Sequence, residues 1–203
     1  MPHFLSAAAQ AALAADVCLF KFINSHHTPF LDVFFTGVSF LGYGWIVIPL
    51  FLAFVTWRTP TSRRKRTLIL VTAALLISGL ANTGAKELAN RRRPSAYFVP
   101  PGTGKIVKEG RTYEVHVVQD KLYRHSFPSG HAGTAFAIAA LLVLALGARF
   151  WPSVPVAALV AYSRVYLGVH FPLDTLVGAV MGAGITVIVW RGLDRIIRPR
   201  PAA

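Results

Sequence analysis

The sequence predicts an all-α protein, a polytopic bundle of transmembrane helices, and three observations predict it. Hydrophobic residues make up 54% of the 203 positions and charged residues only 14%, against about 25% charge in a soluble domain. The apolar residues gather in five runs long enough to cross a bilayer as helix, which takes roughly 17–25 residues. The charge is lopsided, with 21 Lys and Arg against 8 Asp and Glu, and most of the basic residues fall between the runs. This composition rules out a disordered chain and argues against a soluble globular enzyme. Cys18 is the sole cysteine, which excludes an internal disulfide and a cysteine-based metal site. The length suits a single domain, residues 1–203.

Residues 4–24 open the chain as an Ala-rich helix. Its polar positions Ser6, Gln10, Asp16, Lys21 and Asn24 fall within roughly 140° of one another on a helical wheel. Such a helix lies in the membrane interface or makes a sixth span whose polar stripe faces the bundle. No basic region precedes its apolar run, so it does not resemble a cleavable signal. Thr28-Pro29 with Asp32 reads as a turn and cap leading into the first strong span. The five spans fall at 38–57, 67–89, 130–148, 153–170 and 173–190. Gly178 and Gly182 have the spacing at which two helix backbones approach closely.

Sidedness follows from the basic residues of the short connections. Arg58, Arg63, Arg64, Lys65 and Arg66 follow the first span, Arg149 links the third to the fourth, and Arg191, Arg195, Arg198 and Arg200 face a single Asp194 in the tail. If all five spans cross, these segments share one side, the cytoplasmic one. The long loop at 90–129 and the turn around His170 then share the opposite face. Most of the net charge of +13 is thereby topology signal and attraction to lipid headgroups, and nucleic acid is not an expected partner.

Three polar clusters stand where polar residues are expensive. Lys86 lies near the end of the second span, and Arg93-Pro94 follows two helical turns later, so both cations can share a face before Pro94 ends the helix. The alternative, a basic anchor that snorkels to the interface, suits Arg91 and Arg92 and stays open for Lys86. Pro128-Ser129-Gly130-His131 begins the third span. Pro128 fits a first helical turn, and a helix N-terminus with free amides attracts anions, although an ordinary loop-to-helix junction has the same look. The third cluster is Ser163-Arg164, His170 and Asp174. An Asp within reach of a His can fix its tautomer and leave the other ring nitrogen as nucleophile or base; compensation of the helix dipole is the plainer reading of Asp174. Taken together, Lys86, Arg93, Arg164, His131 and His170 converge on one membrane face with Asp174 as the only nearby acid. Three cations with helix amides suit a tetrahedral oxyanion such as phosphate. Two histidines allow one to attack phosphorus and the other to protonate the leaving oxygen. With no cluster of carboxylates or His/Cys ligands, no metal or other cofactor is implied.

The residues Lys86 to Arg93-Pro94, Pro128-Ser129-Gly130-His131, and Ser163-Arg164 to His170 to Asp174 resemble the three signature motifs of the type 2 phosphatidic acid phosphatase superfamily. K-x6-RP, PSGH and SR-x5-H-x3-D are matched at every fixed position and in order, across residues 86–174. The resemblance implies that His170 forms a phosphohistidine and that Asp174 orients it. It implies that His131 is the general acid and then the base that activates water. Lys86, Arg93, Arg164, Ser129 and the Gly130 amide would hold the phosphate oxygens. The remaining histidines, His3, His26, His27, His116 and His125, match no motif and are expected in loops or at the interface.

The expected function is a phosphatase acting on a lipid phosphate or diphosphate, multi-pass in the bacterial cytoplasmic membrane, with its site on the extracytoplasmic face. The substrate and the surrounding membrane lipids are the expected partners, and no obligate protein partner is implied. Bacterial members resembling this chain include undecaprenyl diphosphate, lipid A and phosphatidylglycerophosphate phosphatases. The basic loop from Tyr97 to Arg124 and the Phe22-Ile23-Asn24, His26-His27 and Leu31-Asp32 pattern favour the first. A lipid-to-lipid phosphotransferase would use the same site. A vanadate haloperoxidase shares the pocket but is soluble, and a non-enzymatic binding protein is at odds with an intact His170-Asp174 pair.

Overall fold

The computed structural model describes residues 7–98, 115–118 and 124–197. Among the described residues eight α-helices and one 3-10 turn make up the regular structure, and no strand occurs. The helices are α1 (Ala7–Ser25), α2 (Pro29–Phe40), α3 (Gly44–Arg58), α4 (Thr61–Ala89), α5 (Pro94–Tyr97), α6 (Gly130–Leu146), α7 (Ser153–Tyr166) and α8 (Pro172–Ile197). The 3-10 turn at Ala148–Phe150 joins α6 to α7. The tail arginines Arg198 and Arg200, His3, and most of the Tyr97-to-Arg124 loop lie outside the described residues.

The expected cap is present: Thr28 is extended, its hydroxyl accepts from the Leu31 N–H, Pro29 takes the first helical position, and Asp32 lies in the first turn. The expected span at 38–57 is not one continuous helix. The chain breaks at residues 41–43 and bends by 57° between α2 and α3. Hydropathy is blind to this break, because both sides of it are apolar. Gly42 explains the close approach there: a Cβ would lie 2.7 Å from Cδ2 of His131.

Helix α4 runs 29 residues and reaches back through the basic turn to Thr61. Helix α8 runs 26 residues to Ile197. By length and composition α1, α4 continued through α5, and α8 can each cross a membrane, as can α2 with α3 taken as one bent span. Helix α6 is apolar but has 17 residues, and α7 has 14, about 21 Å of helix against a hydrocarbon core of about 30 Å. The large apolar side chains of Trp57, Leu80, Leu88, Val180 and Ile188 are exposed on the outside of the bundle, as expected where lipid is the solvent.

Helix α6 is the centre, packing against α3, α4, α7 and α8. Its buried face is built from Ala132, Gly133, Ala135, Ala137 and Ala139, small enough for neighbouring backbones to close in. The Gly178 and Gly182 expectation holds. A Cβ on Gly178 would sit 2.4 Å from the Ser129 carbonyl oxygen, and one on Gly182 would sit 2.1 Å from that of Gly133. Phe51 and Val55 of α3, Val71 and Ala74 of α4, and Ile138 and Leu141 of α6 form the core beneath the site. At the far end Arg66 pairs with Asp194 and joins the start of α4 to the end of α8. Lys86, Gly130, Arg164 and Asp174 all lie at the opposite ends of their helices.

The N-terminal helix buries Asp16, Phe20 and Asn24, so two positions of its polar stripe face the bundle, while Gln10 and Cys18 are exposed and Ser6 lies outside the described residues. Phe20 packs with Phe98, Val165 and Phe171. The Asn24 side chain donates to the carbonyls of His116 and Tyr166 and accepts from the His116 N–H.

Candidate active site

The two cations of the first motif meet by a different route from the one expected. Helix α4 ends at Ala89, Asn90 takes a left-handed conformation (φ 39°), and Arg93 is extended before α5 begins at Pro94. Lys86 and Arg93 therefore do not share a continuous helix face; the turn brings them together. Arg93 is buried and fixed by four contacts: its Nε donates to the Arg124 carbonyl at 2.9 Å, Nη1 to Val169 O at 3.1 Å, Nη2 to His125 O at 3.4 Å, and Nη1 also lies 3.4 Å from Nε2 of His170. His125 thus serves the site through its backbone.

Pro128 lies outside the helix, contrary to expectation. The Phe127-Pro128 peptide is cis, Ser129 is the N-cap and α6 starts at Gly130. The Ser129 N–H donates to the Asp174 carbonyl at 2.8 Å, which joins the second motif to the third. A Cβ on Gly130 would meet Nζ of Lys86 at 3.3 Å, so the ammonium stands directly at the N-terminus of α6, where phosphate oxygens would meet both. Ser129 Oγ and His131 Nε2 are buried with no hydrogen-bond partner. Buried polar atoms are rarely left so. The edge of Tyr43 packs on His131 with ring centres 4.6 Å apart, which places the α2–α3 break against this imidazole.

Arg164 is 3% exposed and donates from Nη1 to the hydroxyl of Ser39, itself buried on α2. Its carbonyl accepts from the backbone N–H groups of Val169 and His170, both at 3.2 Å. The turn that ends α7 thereby presents His170, which lies outside the helices. Burial pushes the His170 imidazole down to about 4; Asp174 opposes this, and Arg93 and Arg164 reinforce it. A neutral ring keeps a lone pair on one nitrogen at neutral pH.

The expected hydrogen bond between His170 and Asp174 is not made. Nδ1 of His170 stands 3.7 Å from Oδ2 of Asp174, an ion-pair distance beyond hydrogen-bond range. The reason is competition. Oδ2 already accepts from Ser126 Oγ and from the Phe171 N–H at 2.9 Å, and Oδ1 accepts from Arg91 Nη1 at 2.6 Å. Nor is Asp174 the only nearby acid, since Arg91 also binds Asp16 at 2.6 Å. The interfacial-anchor reading fails for Arg91 and suits Arg92, which is exposed. Asp16 was visible in the sequence as a carboxylate within an apolar helix. Ser39 and Tyr43 carried no such signal.

Among the described residues, one group apart from this site gathers three potential metal ligands, His27, Asp32 and His116, with ligand atoms within 4.8 Å of one another. The two rings stack face to face at 3.6 Å, so their nitrogen lone pairs run in parallel planes and do not converge. Asp32 accepts from Tyr166 Oη at 2.9 Å and pairs with His116 Nε2 at 3.0 Å. These contacts pin residues 115–118 to α1 and α2.

An apolar helix bundle that gathers Lys86, Arg93 and Arg164 around two imidazoles at one end defines a membrane enzyme acting on phosphate esters. The chain belongs to the PAP2 superfamily, whose family model matches residues 67–198. Its fold is similar to the crystal structure of Aquifex aeolicus LpxE, with a TM-score of 0.68 and 31% identity over 86% of this chain and 94% of that one. It is also similar to a transmembrane PAP2-type phosphatidylglycerolphosphate phosphatase from Bacillus subtilis, with a TM-score of 0.64 and 29% identity over 94% and 90%. Among curated relatives, an undecaprenyl-diphosphatase of Sulfolobus acidocaldarius is 26% identical, over 85% of this chain and 76% of the relative. A lipid A 4'-phosphatase of Porphyromonas gingivalis is 30% identical, over 85% and 70%.

Proposed function

We propose that the chain hydrolyses a lipid phosphate or diphosphate at the extracytoplasmic face of the bacterial cytoplasmic membrane, through a phosphohistidine on His170. The observation that carries this reading is the junction at the start of α6. There Lys86 abuts Gly130, Ser129 Oγ and His131 Nε2 have no partner, and Arg93 touches Nε2 of His170. Phosphate oxygens would take Lys86, Arg93, Arg164, Ser129 and the Gly130 amide. Nε2 of His170 attacks phosphorus, the bond to the lipid-side oxygen breaks, and His131 gives that oxygen its proton. His131 then takes a proton from a water whose oxygen attacks phosphorus, and the phosphorus–nitrogen bond breaks, which releases phosphate and restores His170. The cations offset charge throughout, which is why no metal is required in this scheme.

The substrate proposed is a polyprenyl diphosphate. Support comes from the undecaprenyl-diphosphatase relatives, among them one of Bacillus subtilis that is 28% identical over 89% of this chain, and from the basic loop, whose residues 99–114 and 119–123 lie outside the described residues. The test is phosphate release by detergent-purified protein from undecaprenyl diphosphate, lipid A, phosphatidylglycerophosphate and phosphatidic acid, each with and without a chelator. Fastest turnover of the diphosphate, unaffected by chelator, is expected. Preference for a monoester overturns the substrate, and activity restored only by a divalent metal overturns the mechanism. Label passing to an acceptor lipid in place of water identifies a phosphotransferase.

A further inference from the structure

Asp16 is a carboxylate buried in the middle of α1, with a side chain wholly shielded from solvent. A buried charge in a membrane helix is costly unless every oxygen is partnered. Here Oδ2 accepts from Arg91 Nη2 at 2.6 Å and Oδ1 from the Leu173 N–H at 2.8 Å. The second terminal nitrogen of Arg91 donates to Asp174, and the guanidinium lies 4.3 Å from the centre of the Phe171 ring. One planar fork therefore spans two buried carboxylates, a geometry available to Arg and not to Lys. Both carboxylates also close the N-terminus of α8: Asp174, the third residue of that helix, accepts from Phe171 N–H, and Asp16 accepts from the next free N–H. His170 precedes Phe171, so this network grips the backbone that carries the imidazole.

We propose that Asp16 and Arg91 are positioning residues for the nucleophile, which set how much of the Asp174 charge reaches His170 and hold the turn that aims its ring. This rests on the reading of His170 as nucleophile. Arg91 holds Oδ1 of Asp174, so only Oδ2 faces the imidazole. With Arg91 uncharged, Asp174 acts on His170 uncompensated, and His170 keeps its proton to higher pH. Deleting the Asp16 charge as well removes a neutral pair and returns the balance. The other charged or titratable groups around His170 are Arg93, His131 of α6 and Arg164 of α7, with Lys86 of α4 beside the two arginines, and both variants leave them in place.

The experiment is kcat, KM and their pH dependence on undecaprenyl diphosphate in detergent, for the full chain and for Arg91→Gln, Asp16→Asn, the double variant and Arg91→Lys. Trapped phosphoenzyme and the thermal midpoint are measured alongside. Arg91→Gln should lower kcat by up to about 10²-fold, leave KM nearly unchanged, and raise the acid limb of kcat/KM by about one pH unit. The double variant should bring that limb back toward wild type while kcat stays low. Arg91→Lys should keep the wild-type limb with reduced kcat. An acid limb that does not move in Arg91→Gln, or that rises further in the double variant, overturns the proposal in favour of a purely structural role. A raised KM with wild-type kcat overturns it in favour of headgroup binding by Arg91. Should Arg91→Gln not fold, the isosteric Asp16→Asn decides: lowered kcat with an acid limb at or below wild type supports the proposal, and a raised limb or wild-type kcat overturns it. If wild-type protein traps phosphate on a residue other than His170, the nucleophile reading itself has failed, whatever the variants do.

Discussion

Gly178→Ala tests whether the site depends on the contact between α6 and α8. A Cβ at this position would sit 2.4 Å from the Ser129 carbonyl oxygen and 3.1 Å from its nitrogen, where ordinary contact begins at 3.4 Å. Both are backbone atoms, and the Ser129 N–H is already bonded to the Asp174 carbonyl at 2.8 Å. No rotamer change can relieve the clash, so the two helix termini must part by about 1 Å. Overpacking of this kind costs about 1–3 kcal/mol of stability. The larger effect is on chemistry, because the parted elements carry Ser129, Gly130 and His131 on one side and Asp174 on the other. A misplacement of about 1 Å can lower turnover about 10²-fold. The assay is phosphate release with detergent-purified protein, reported as kcat and KM beside the thermal midpoint. Gly184→Ala is the control, since its Cβ would meet nothing within 4 Å on the same helix. Gly182→Ala, whose Cβ would meet the Gly133 carbonyl at 2.1 Å one turn away from Gly178, should lose stability at least as much. Full kcat in Gly178→Ala would falsify the claim that this contact sets the geometry of the site.

The histidines should separate by leaving group. His170→Ala should abolish turnover and phosphoenzyme, whereas His131→Ala should slow alkyl phosphates by roughly 10²–10⁴-fold and activated aryl phosphates far less; equal losses on both substrates refute the assignment. Stability should depend on pH through His170. Its value is depressed to about 4 in the folded protein, so the unfolded chain binds the proton first. The contribution is present above about pH 6.5 and lost as pH falls toward 4. The fall of the thermal midpoint over that range should be smaller in His170→Gln, and an identical fall in both proteins counts against it. For topology, single cysteines at positions 103–112, introduced with Cys18 replaced, should react with an impermeant reagent in intact cells, and those at 60–64 should not; the reverse pattern inverts the proposed orientation.

The parts of this site that were legible in the sequence are those whose signal is local. Pro172 ahead of Asp174, Ser129-Gly130 ahead of an apolar run, and Thr28-Pro29 ahead of Asp32 mark helix starts within a few residues, and the structure starts its helices there. The Gly178 and Gly182 spacing marked a close helix crossing for the same reason. Hydropathy located the apolar segments but not their breaks. It ran through residues 41–43, where the chain bends over His131. The apolar run ended at 89 as α4 does, whereas the seven-residue spacing of Lys86 and Arg93 wrongly carried that helix on to Pro94. Apolar composition measures transfer into lipid, which is indifferent to a turn whose polar groups are satisfied inside the bundle.

The sequence by itself determined that this chain is a helical membrane protein, which polar residues stand at the ends of its apolar runs, and which histidine has an acid four residues away. Only the tertiary structure decided who holds those residues in place. Ser39 fixes Arg164 across 125 positions of chain, and Asp16 reaches Arg91 across 75. The carboxylate expected to grip His170 is instead occupied by Arg91, Ser126 and the Phe171 amide. Motifs and caps follow from the few dihedrals between neighbouring residues. A buried charge takes whichever partners packing delivers to its oxygens, and packing is settled by helices that meet only after the whole bundle has closed.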